Sequence, residues 1–392
     1  MVPASLHRGV LVVVAAVAAV VVLSLATSSH LRSACIEQDT PYLPLCSAPS
    51  ADPAVERDEL KRRIARNPGD ASAWTQLLVS SPPAETEAVL PGAVLAAPND
   101  PNVARWEAAE ALQKGQGEKG VALLVNILRH SSSPASATVL AQIAVAPQGF
   151  ALLRPHLETA AEWLPQVLSA STALKQAPGD MLPLVAGAQE RNALPAETRR
   201  YYMRVLKSSG QWLDAYGLWV ASHKDAVPLL FNAGFDQPLE TDGFDWEFTP
   251  VPRSRAGLVV DQEAVARRGL VLDIDFTGRG FPTPIVRQYL FLAPGTYRLH
   301  GEYAASRLRS EEGLAWAVQC TGGSKPVAGR SPALRDTGGV WKPMDFEFTV
   351  PADCGPVASL QLAPVAAYES TTGIRGGISF DAFSLTRAIA SE

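Results

Sequence analysis

The feature that most constrains this chain is an uncharged apolar segment close to its N-terminus. Gly9 to Ala26 reads GVLVVVAAVAAVVVLSLA, and its single polar residue is Ser24. As an α-helix rising about 1.5 Å per residue it would be about 27 Å long, close to the thickness of a bilayer core. We expect this segment to enter a membrane rather than to join a soluble core.

The charges that flank the segment predict its orientation. His7 and Arg8 precede it, whereas Glu37 and Asp39 follow it after Arg32. Positive charge before an apolar span favours a cytoplasmic N-terminus. We therefore predict a single-pass inner-membrane protein whose C-terminal domains lie in the periplasm.

Three kinds of N-terminal segment agree with export. An uncleaved signal-anchor fits the length of the apolar run best, and residues 28–54 would then form a stalk or linker after an anchor at residues 1–27. A signal peptide could instead be cleaved after Ser24-Leu25-Ala26, where the residues are small. A lipoprotein modified at Cys35 is the third alternative, although Arg32 stands where an aliphatic residue is expected.

The four cysteines fall into two pairs that are local in sequence, and no CxxC motif occurs. An even number of cysteines in an exported chain favours disulfides over a zinc site. We predict the disulfides Cys35–Cys46 and Cys320–Cys354, and free buried thiols are the alternative.

Composition and motifs narrow the function. The net charge is −5, which argues against a nucleic-acid-binding protein. The chain contains no G-x-S-x-G, H-E-x-x-H or P-loop motif, so no enzyme class is predicted. Asp273 with Asp275 and Asp345 with Glu347 alternate with apolar residues, which is typical of the solvated face of a strand.

Residues 55–227 show helical spacing of apolar residues, interrupted by turn sequences at Asn67-Pro68-Gly69-Asp70 and Ala97-Pro98-Asn99-Asp100-Pro101. The stretches NPGDASAWTQLL and APNDPNVARWEAAEALQKGQGEKGVALLVNIL resemble the tetratricopeptide repeat family. The resemblance implies an α-solenoid of helical hairpins that contacts a partner protein. A spacer domain without a partner is the alternative.

Residues 228–392 change to a period of two. Pro294-Gly295 indicates a turn between two of seven segments that read as short strands, which are residues 270–276, 286–292, 296–303, 314–320, 345–350, 358–362 and 378–385. This pattern predicts an antiparallel β-sandwich or jelly roll, so the fold class is a multidomain α + β protein with a transmembrane helix, an α-solenoid and a C-terminal sandwich.

Several motifs in this region resemble galactose-binding-like jelly rolls such as carbohydrate-binding modules. They are Asn232-Ala-Gly-Phe235-Asp236, Phe244-Asp245-Trp246, Gly-Thr-Tyr297 and Phe380-Asp381. Many such modules hold a structural Ca²⁺ between the first and last strands, and the resemblance implies Asp236 and Asp381 as its ligands. Ala382 stands where a second acidic residue is more common, and no other cofactor is predicted.

A sugar-binding surface is the second implication of this resemblance. Aromatic rings stack on sugar C–H groups, and polar side chains bind the hydroxyls. Arg287, Tyr289, Glu302 and Trp341 are the candidate residues, whereas Trp316 and Trp246 are predicted to lie in the core.

We therefore predict a non-catalytic envelope protein that supports exopolysaccharide assembly or export, with a protein partner at the helical repeats and a polysaccharide at the sandwich. The alternative is a purely structural interaction protein of a secretion or pilus system, and a sugar-active enzyme is a third hypothesis.

Overall fold

The structure is a computed structural model that describes residues 53–223, 225–239, 243–249, 257–322 and 327–388. The predicted anchor and the predicted Cys35–Cys46 disulfide lie outside these residues. No helix formed by the described residues is long and apolar enough to cross a membrane. The chain divides into two compact units, one up to Tyr202 and one from Met203.

The first unit is helical. Two 3₁₀ helices, Arg154–Thr159 and Pro178–Met181, interrupt its α-helices. The α-helices of this unit and of the segment that leads into the second unit are α1 (Pro53–Arg66), α2 (Ala71–Ser80), α3 (Pro83–Ala96), α4 (Pro101–Gln113), α5 (Gly117–His130), α6 (Pro134–Ala144), α7 (Gly149–Leu153), α8 (Ala160–Ala173), α9 (Leu182–Glu190), α10 (Ala196–Ser208) and α11 (Trp212–Val220).

The predicted turns separate helices, and their aspartates explain why. Asp70 accepts a hydrogen bond from the backbone N–H of Ala73 at 2.9 Å and so caps α2. Asp100 caps α4 in the same way through the N–H groups of Asn102 and Val103. Consecutive helices pack against each other, as in α1 with α2, α2 with α3, and α4 with α5. The region is therefore helical, as predicted, whereas the resemblance to tetratricopeptide repeats stays a prediction.

The second unit contains an antiparallel β-sandwich, which confirms that part of the predicted fold. One sheet has five strands in the order β1-β2-β9-β4-β7, and the other has four in the order β3-β8-β5-β6. The strands are β1 (Leu258–Val265), β2 (Gly269–Thr277), β3 (Val286–Leu290), β4 (Gly295–Arg309), β5 (Leu314–Cys320), β6 (Val327–Arg330), β7 (Lys342–Val350), β8 (Ala358–Pro364) and β9 (Arg375–Arg387), and a short helix α12 (Glu369–Thr372) precedes β9.

Alternation along the strands places one face of each sheet in a shared core. In β2, for example, Leu272, Ile274 and Phe276 are buried, and the residues between them point outward. Trp246 and Trp316 are fully buried in this core, as predicted, with ring centroids 5.6 Å apart. Burial of these large rings contributes to the stability of the sandwich.

The last helix before the strands, α11, belongs to the second unit. The helical spacing of its apolar residues had grouped it with the preceding helices. The ring of Tyr216 stacks on that of Phe291 at a centroid distance of 3.9 Å, and Trp219 contacts Phe244. This aromatic contact attaches the helix to the end of β3. The residues from Met203 onward therefore form part of the same compact unit as the strands.

The Cys320–Cys354 disulfide is formed, as predicted. It joins the end of β5 to the loop that follows β7, and Cys354 is buried. Because β5 and β7 belong to different sheets, this bond connects the two layers of the sandwich.

Candidate functional site

The four predicted glycan-binding residues divide between the two outer faces of the sandwich. Arg287 and Tyr289 project from the four-stranded sheet, because Val286, Gln288 and Leu290 alternate with them and are buried. Glu302 and Trp341 lie on the five-stranded sheet side. The structure therefore brings each pair together but keeps the two pairs on opposite sides of the core.

Arg287 and Tyr289 meet residues that lie far away in sequence. The indole ring of Trp212, at the start of α11, contacts the ring of Tyr289 at a centroid distance of 4.7 Å. The guanidinium of Arg287 lies 4.9 Å from the same ring centroid, and its Nε donates to Glu247 Oε2 at 3.1 Å. Burial by these neighbours raises the pKa of the Tyr289 hydroxyl.

Glu247 also binds an ammonium group. Lys207 Nζ donates to Glu247 Oε1 at 2.6 Å and to the carbonyl oxygen of Gly243 at the same distance. Both side chains of this ion pair are about four-fifths buried or more, at 13% and 16% exposure. Backbone hydrogen bonds between Glu247 and Arg287 fix the segment beside β3. The carboxylate thus holds α10, this segment and β3 together.

The strand register shows which residues continue the outer face of the four-stranded sheet beyond Arg287 and Tyr289. Arg287 on β3 lies beside Gln361 on β8, which lies beside Ala317 on β5, which in turn pairs with Arg330 on β6. Residues paired in this way across antiparallel strands project to the same side. One row across the sheet therefore carries a guanidinium at each end and an amide between them.

The neighbouring row has a similar chemistry. Tyr289 pairs with Ser359, and Ser359 pairs with Gln319. The floor beneath these polar groups is formed by small side chains, and Ala317 and Ser359 are only 5% and 4% exposed. We define the polar face as Arg287, Tyr289, Ser359, Gln361, Ala317, Gln319 and Arg330.

Sequence reasoning identified Arg287 and Tyr289 and missed the other five members of the polar face. Gln319 and Gln361 stand at outward positions of segments that were predicted as strands, so alternation alone could have identified them. Arg330 lies on β6, a short strand without a clear alternating pattern, and nothing in its sequence predicts that it faces outward.

Arg268 organises the two candidates on the other face. Its Nη2 lies 2.6 Å from Glu302 Oε2, and its Nη1 lies 3.0 Å from Asp381 Oδ2. The same guanidinium lies over the ring of Trp341, 4.0 Å from its centroid. One face of this indole is therefore covered, and the charge of the arginine is balanced by two carboxylates.

The two predicted calcium ligands have protein partners. Asp381 Oδ1 accepts from the N–H of Ala382, and its other oxygen binds Arg268. Asp236 Oδ1 accepts from the N–H of Leu270, at the start of β2 and two residues after Arg268. Among the described residues, no group of three or more His, Cys, Asp or Glu side chains is arranged to hold a metal ion. The calcium site stays a prediction.

The rest of the five-stranded face is rich in carboxylates. Register places Asp261 beside Asp273 and Glu263 beside Val271, and Asp275 follows on the same side of β2. Burial, together with the negative charges of Asp275, Glu263 and Asp261, raises the pKa of the Asp273 carboxyl, although a hydrogen bond from Ser379 opposes this shift. The two outer faces therefore differ in charge.

The Asn232-to-Asp236 motif organises the loop before β1. The side chain of Asn232 exchanges hydrogen bonds with the backbone of Gln237. The backbone carbonyl oxygen of Asn232 accepts a hydrogen bond from the indole of Trp246. Phe235 is fully buried against Trp246. These residues stabilise the fold, and their polar atoms bind the protein itself.

The sequence matches no protein-family model and no curated protein. Solved structures that are similar to the chain include a CBM4, with 17% identity, a TM-score of 0.31 and coverage of 41% of this chain and 99% of the other. The xylan-binding CBM22-1 domain of Paenibacillus barcinonensis is 14% identical, with a TM-score of 0.29 and coverage of 41% and 94%.

A third similar structure is TmCBM61 in complex with β-1,4-galactotriose, which is 15% identical, with a TM-score of 0.25 and coverage of 42% of this chain and 100% of the other. The similarity of all three is limited to about two fifths of the chain. The architecture of the second unit therefore rests on its own strand order and register.

Proposed function

We propose that the second unit binds a glycan on the polar face, without catalysing a reaction. The observation that carries the proposal is the row formed by Arg287, Gln361, Ala317 and Arg330 across four hydrogen-bonded strands. Guanidinium groups donate hydrogen bonds to sugar hydroxyls, and amide groups both donate to them and accept from them. A rigid sheet holds them in position before a ligand arrives, which reduces the entropy lost on binding.

The aromatic border supports this choice of face. Tyr289 belongs to the polar face, and Trp212 borders that face through its contact with Tyr289. Both rings are half-buried. Apolar ring surface beside amide groups suits a sugar, because the C–H groups of a pyranose lie on the faces of its ring and its equatorial hydroxyls lie at the rim. On the opposite face, one side of the Trp341 ring is covered by Arg268, which pairs with two carboxylates, and this makes the ring less suitable.

A non-catalytic role agrees with the position of the paired carboxylates. Asp273 and Asp275 project from β2 on the five-stranded sheet, on the opposite side of the core from the polar face. Glycoside hydrolysis requires two carboxyl groups that flank one bond. On the polar face and its border, the carboxylate that we identify is Glu247, and it is engaged by Lys207 and Arg287.

Affinity electrophoresis of the full-length chain through gels that contain soluble polysaccharides tests the proposal. Gln361→Ala removes the central amide and should abolish or strongly reduce retardation. Thr296→Ala changes an exposed side chain pair on the five-stranded sheet and serves as the control. Equal retardation of both variants, or none of the wild-type protein by any polysaccharide, would exclude binding at this face.

The place of this activity in the cell is the second part of the proposal. An exported protein with a glycan-binding sandwich and helical hairpins would support exopolysaccharide assembly or export, with the hairpins contacting a partner protein. Crosslinking in the producing cell, followed by identification of the linked proteins, tests this role. The role would be contradicted if the linked partners belonged to a secretion or pilus apparatus and if deletion of this protein left the amount of exported polysaccharide unchanged.

A further inference from the structure

The charge of the polar face determines which glycans it can accept. Register and ion pairing place Arg287, Arg330 and Lys207 on it or at its border, against the carboxylate of Glu247. The chain as a whole has a net charge of −5, so this face is positive on a negative protein. The opposite face carries Asp261, Glu263, Asp273 and Asp275.

Arg330 is the exposed cation of the polar face. It has no salt bridge or hydrogen bond to another side chain among the residues that the structure describes, and it stands at the open end of the row, on β6. Arg287 stands at the other end, three strand spacings away, or about 14 Å. Its guanidinium already binds one carboxylate, that of Glu247. The face thus has an occupied guanidinium at one end and an available one at the other.

We infer that the ligand of the polar face is an acidic polysaccharide, whose carboxylate-bearing sugars bind Arg330. The inference rests on the proposed glycan-binding function and names the class of polymer. A guanidinium binds a carboxylate through two parallel N–H···O bonds, which a neutral hydroxyl cannot reproduce. The amides of Gln361 and Gln319 bind hydroxyls of the same polymer, and Lys207 adds positive potential that attracts it.

The same arrangement excludes the five-stranded face as the acceptor of such a polymer. Arg268 and Arg298 are cations of that face, and carboxylates neutralise both of them. Acidic sugars would be repelled by the remaining carboxylates of that face. The carboxylates of β1 and β2 therefore make that part of the five-stranded face less suited to an anionic chain than the polar face.

The test compares acidic polymers with their own neutral derivatives. Polygalacturonate, alginate and hyaluronate are each used beside a methyl-esterified form, which keeps the sugar rings and linkages but removes the charge. We expect the full-length chain to bind at least one acidic polymer and to lose that binding on esterification. Added salt should weaken the binding because part of it is electrostatic.

Substitutions of Arg330 test whether the acidic polymer binds at the polar face. Arg330→Gln should bind the acidic polymer about tenfold more weakly, which corresponds to about 1.4 kcal/mol, whereas Arg330→Lys should retain part of the affinity. Arg298→Gln is the control, because Arg298 is also an exposed arginine but lies on the five-stranded sheet, where it pairs with Asp345. Melting curves of all three variants show whether the fold is preserved.

Each remaining outcome overturns the inference in a distinguishable way. Equal binding of the acidic and esterified forms would refute the acidic class but leave glycan binding intact. Equal binding of dextran sulfate and single-stranded DNA would show a general attraction of polyanions. Binding of no polysaccharide, neutral or acidic, would remove the proposed function together with the inference.

Discussion

The indole of Trp212 and the phenol ring of Tyr289 lie 4.7 Å apart, with their planes inclined at 46°. Trp212 belongs to the last helix before the sandwich, and Tyr289 belongs to β3. This contact makes the helix part of the unit that contains the polar face. It also means that Tyr289, predicted as a platform for sugar, has part of its ring covered by the protein itself.

The first prediction concerns this contact. Trp212→Ala removes the ring that covers Tyr289 and should lower the free energy of unfolding of the second unit by about 2 kcal/mol, less than for a fully buried Trp. Urea denaturation followed by circular dichroism measures the change. Leu213→Ala is the control, because Leu213 is 64% exposed and its loss should cost little. Equal effects of the two variants would contradict the structural role of Trp212.

A second prediction tests whether Asp381 is stabilised by a calcium ion or by its ion pair with Arg268. If the guanidinium supplies the positive charge that Asp381 needs, a chelator should leave the melting temperature unchanged. Arg268→Gln should then destabilise the protein by about 2 kcal/mol, because Asp381 is 6% exposed and would lose its cation. Arg298→Gln breaks an exposed pair and should cost under about 1 kcal/mol. A melting temperature that falls on chelation would support calcium instead.

The third prediction follows from the raised pKa of Asp273. A carboxyl group whose pKa is higher in the folded than in the unfolded protein adds stability while protonated, below its ordinary value of 3.8, and loses that contribution as the pH rises through the folded pKa. Asp273→Asn removes this titration and keeps an oxygen that can accept from Ser379. The variant should therefore be more stable than the wild type near neutral pH.

Denaturation midpoints at neutral pH and at about pH 3 measure this difference. The advantage of Asp273→Asn should disappear at the lower pH, where the wild-type carboxyl is protonated in both the folded and unfolded protein. Asp345→Asn is the opposite control, since hydrogen bonds from His300 and Arg298 lower the pKa of the Asp345 carboxyl. If both variants gained stability at neutral pH, the interpretation for Asp273 would be wrong.

The fourth prediction concerns the disulfide between the two sheets. Cys320 and Cys354 are separated by 34 positions in sequence, and replacing both with Ala should cost about 2–4 kcal/mol of stability. Reductant should destabilise the wild type by a similar amount and should leave the double variant unaffected at this site. The comparison is made by thermal melting with and without reductant, and an equal response of the two proteins would contradict the prediction.

Much of the sandwich could be predicted from sequence because alternation is a local property. β5 was predicted with the bounds Leu314 to Cys320 that the structure shows, and Trp316 lies in the core as expected. The pairing of Cys320 with Cys354 followed from counting cysteines and from their proximity in sequence. β1 and β6 were missed, since neither shows a regular alternation of apolar and polar residues.

The candidate site was harder to predict, because it depends on which strands become neighbours. Sequence alone determined that Arg287 and Tyr289 share a face, since they stand two residues apart on one strand. Only the tertiary structure decided that β8 lies between β3 and β5, which brings Gln361 and Arg330 into the same row, and that Arg268 reaches Glu302 and Trp341 on the opposite side. The alternation of apolar and polar residues is a property of each strand's own sequence. Strand order results from long-range packing, which a local sequence pattern does not predict.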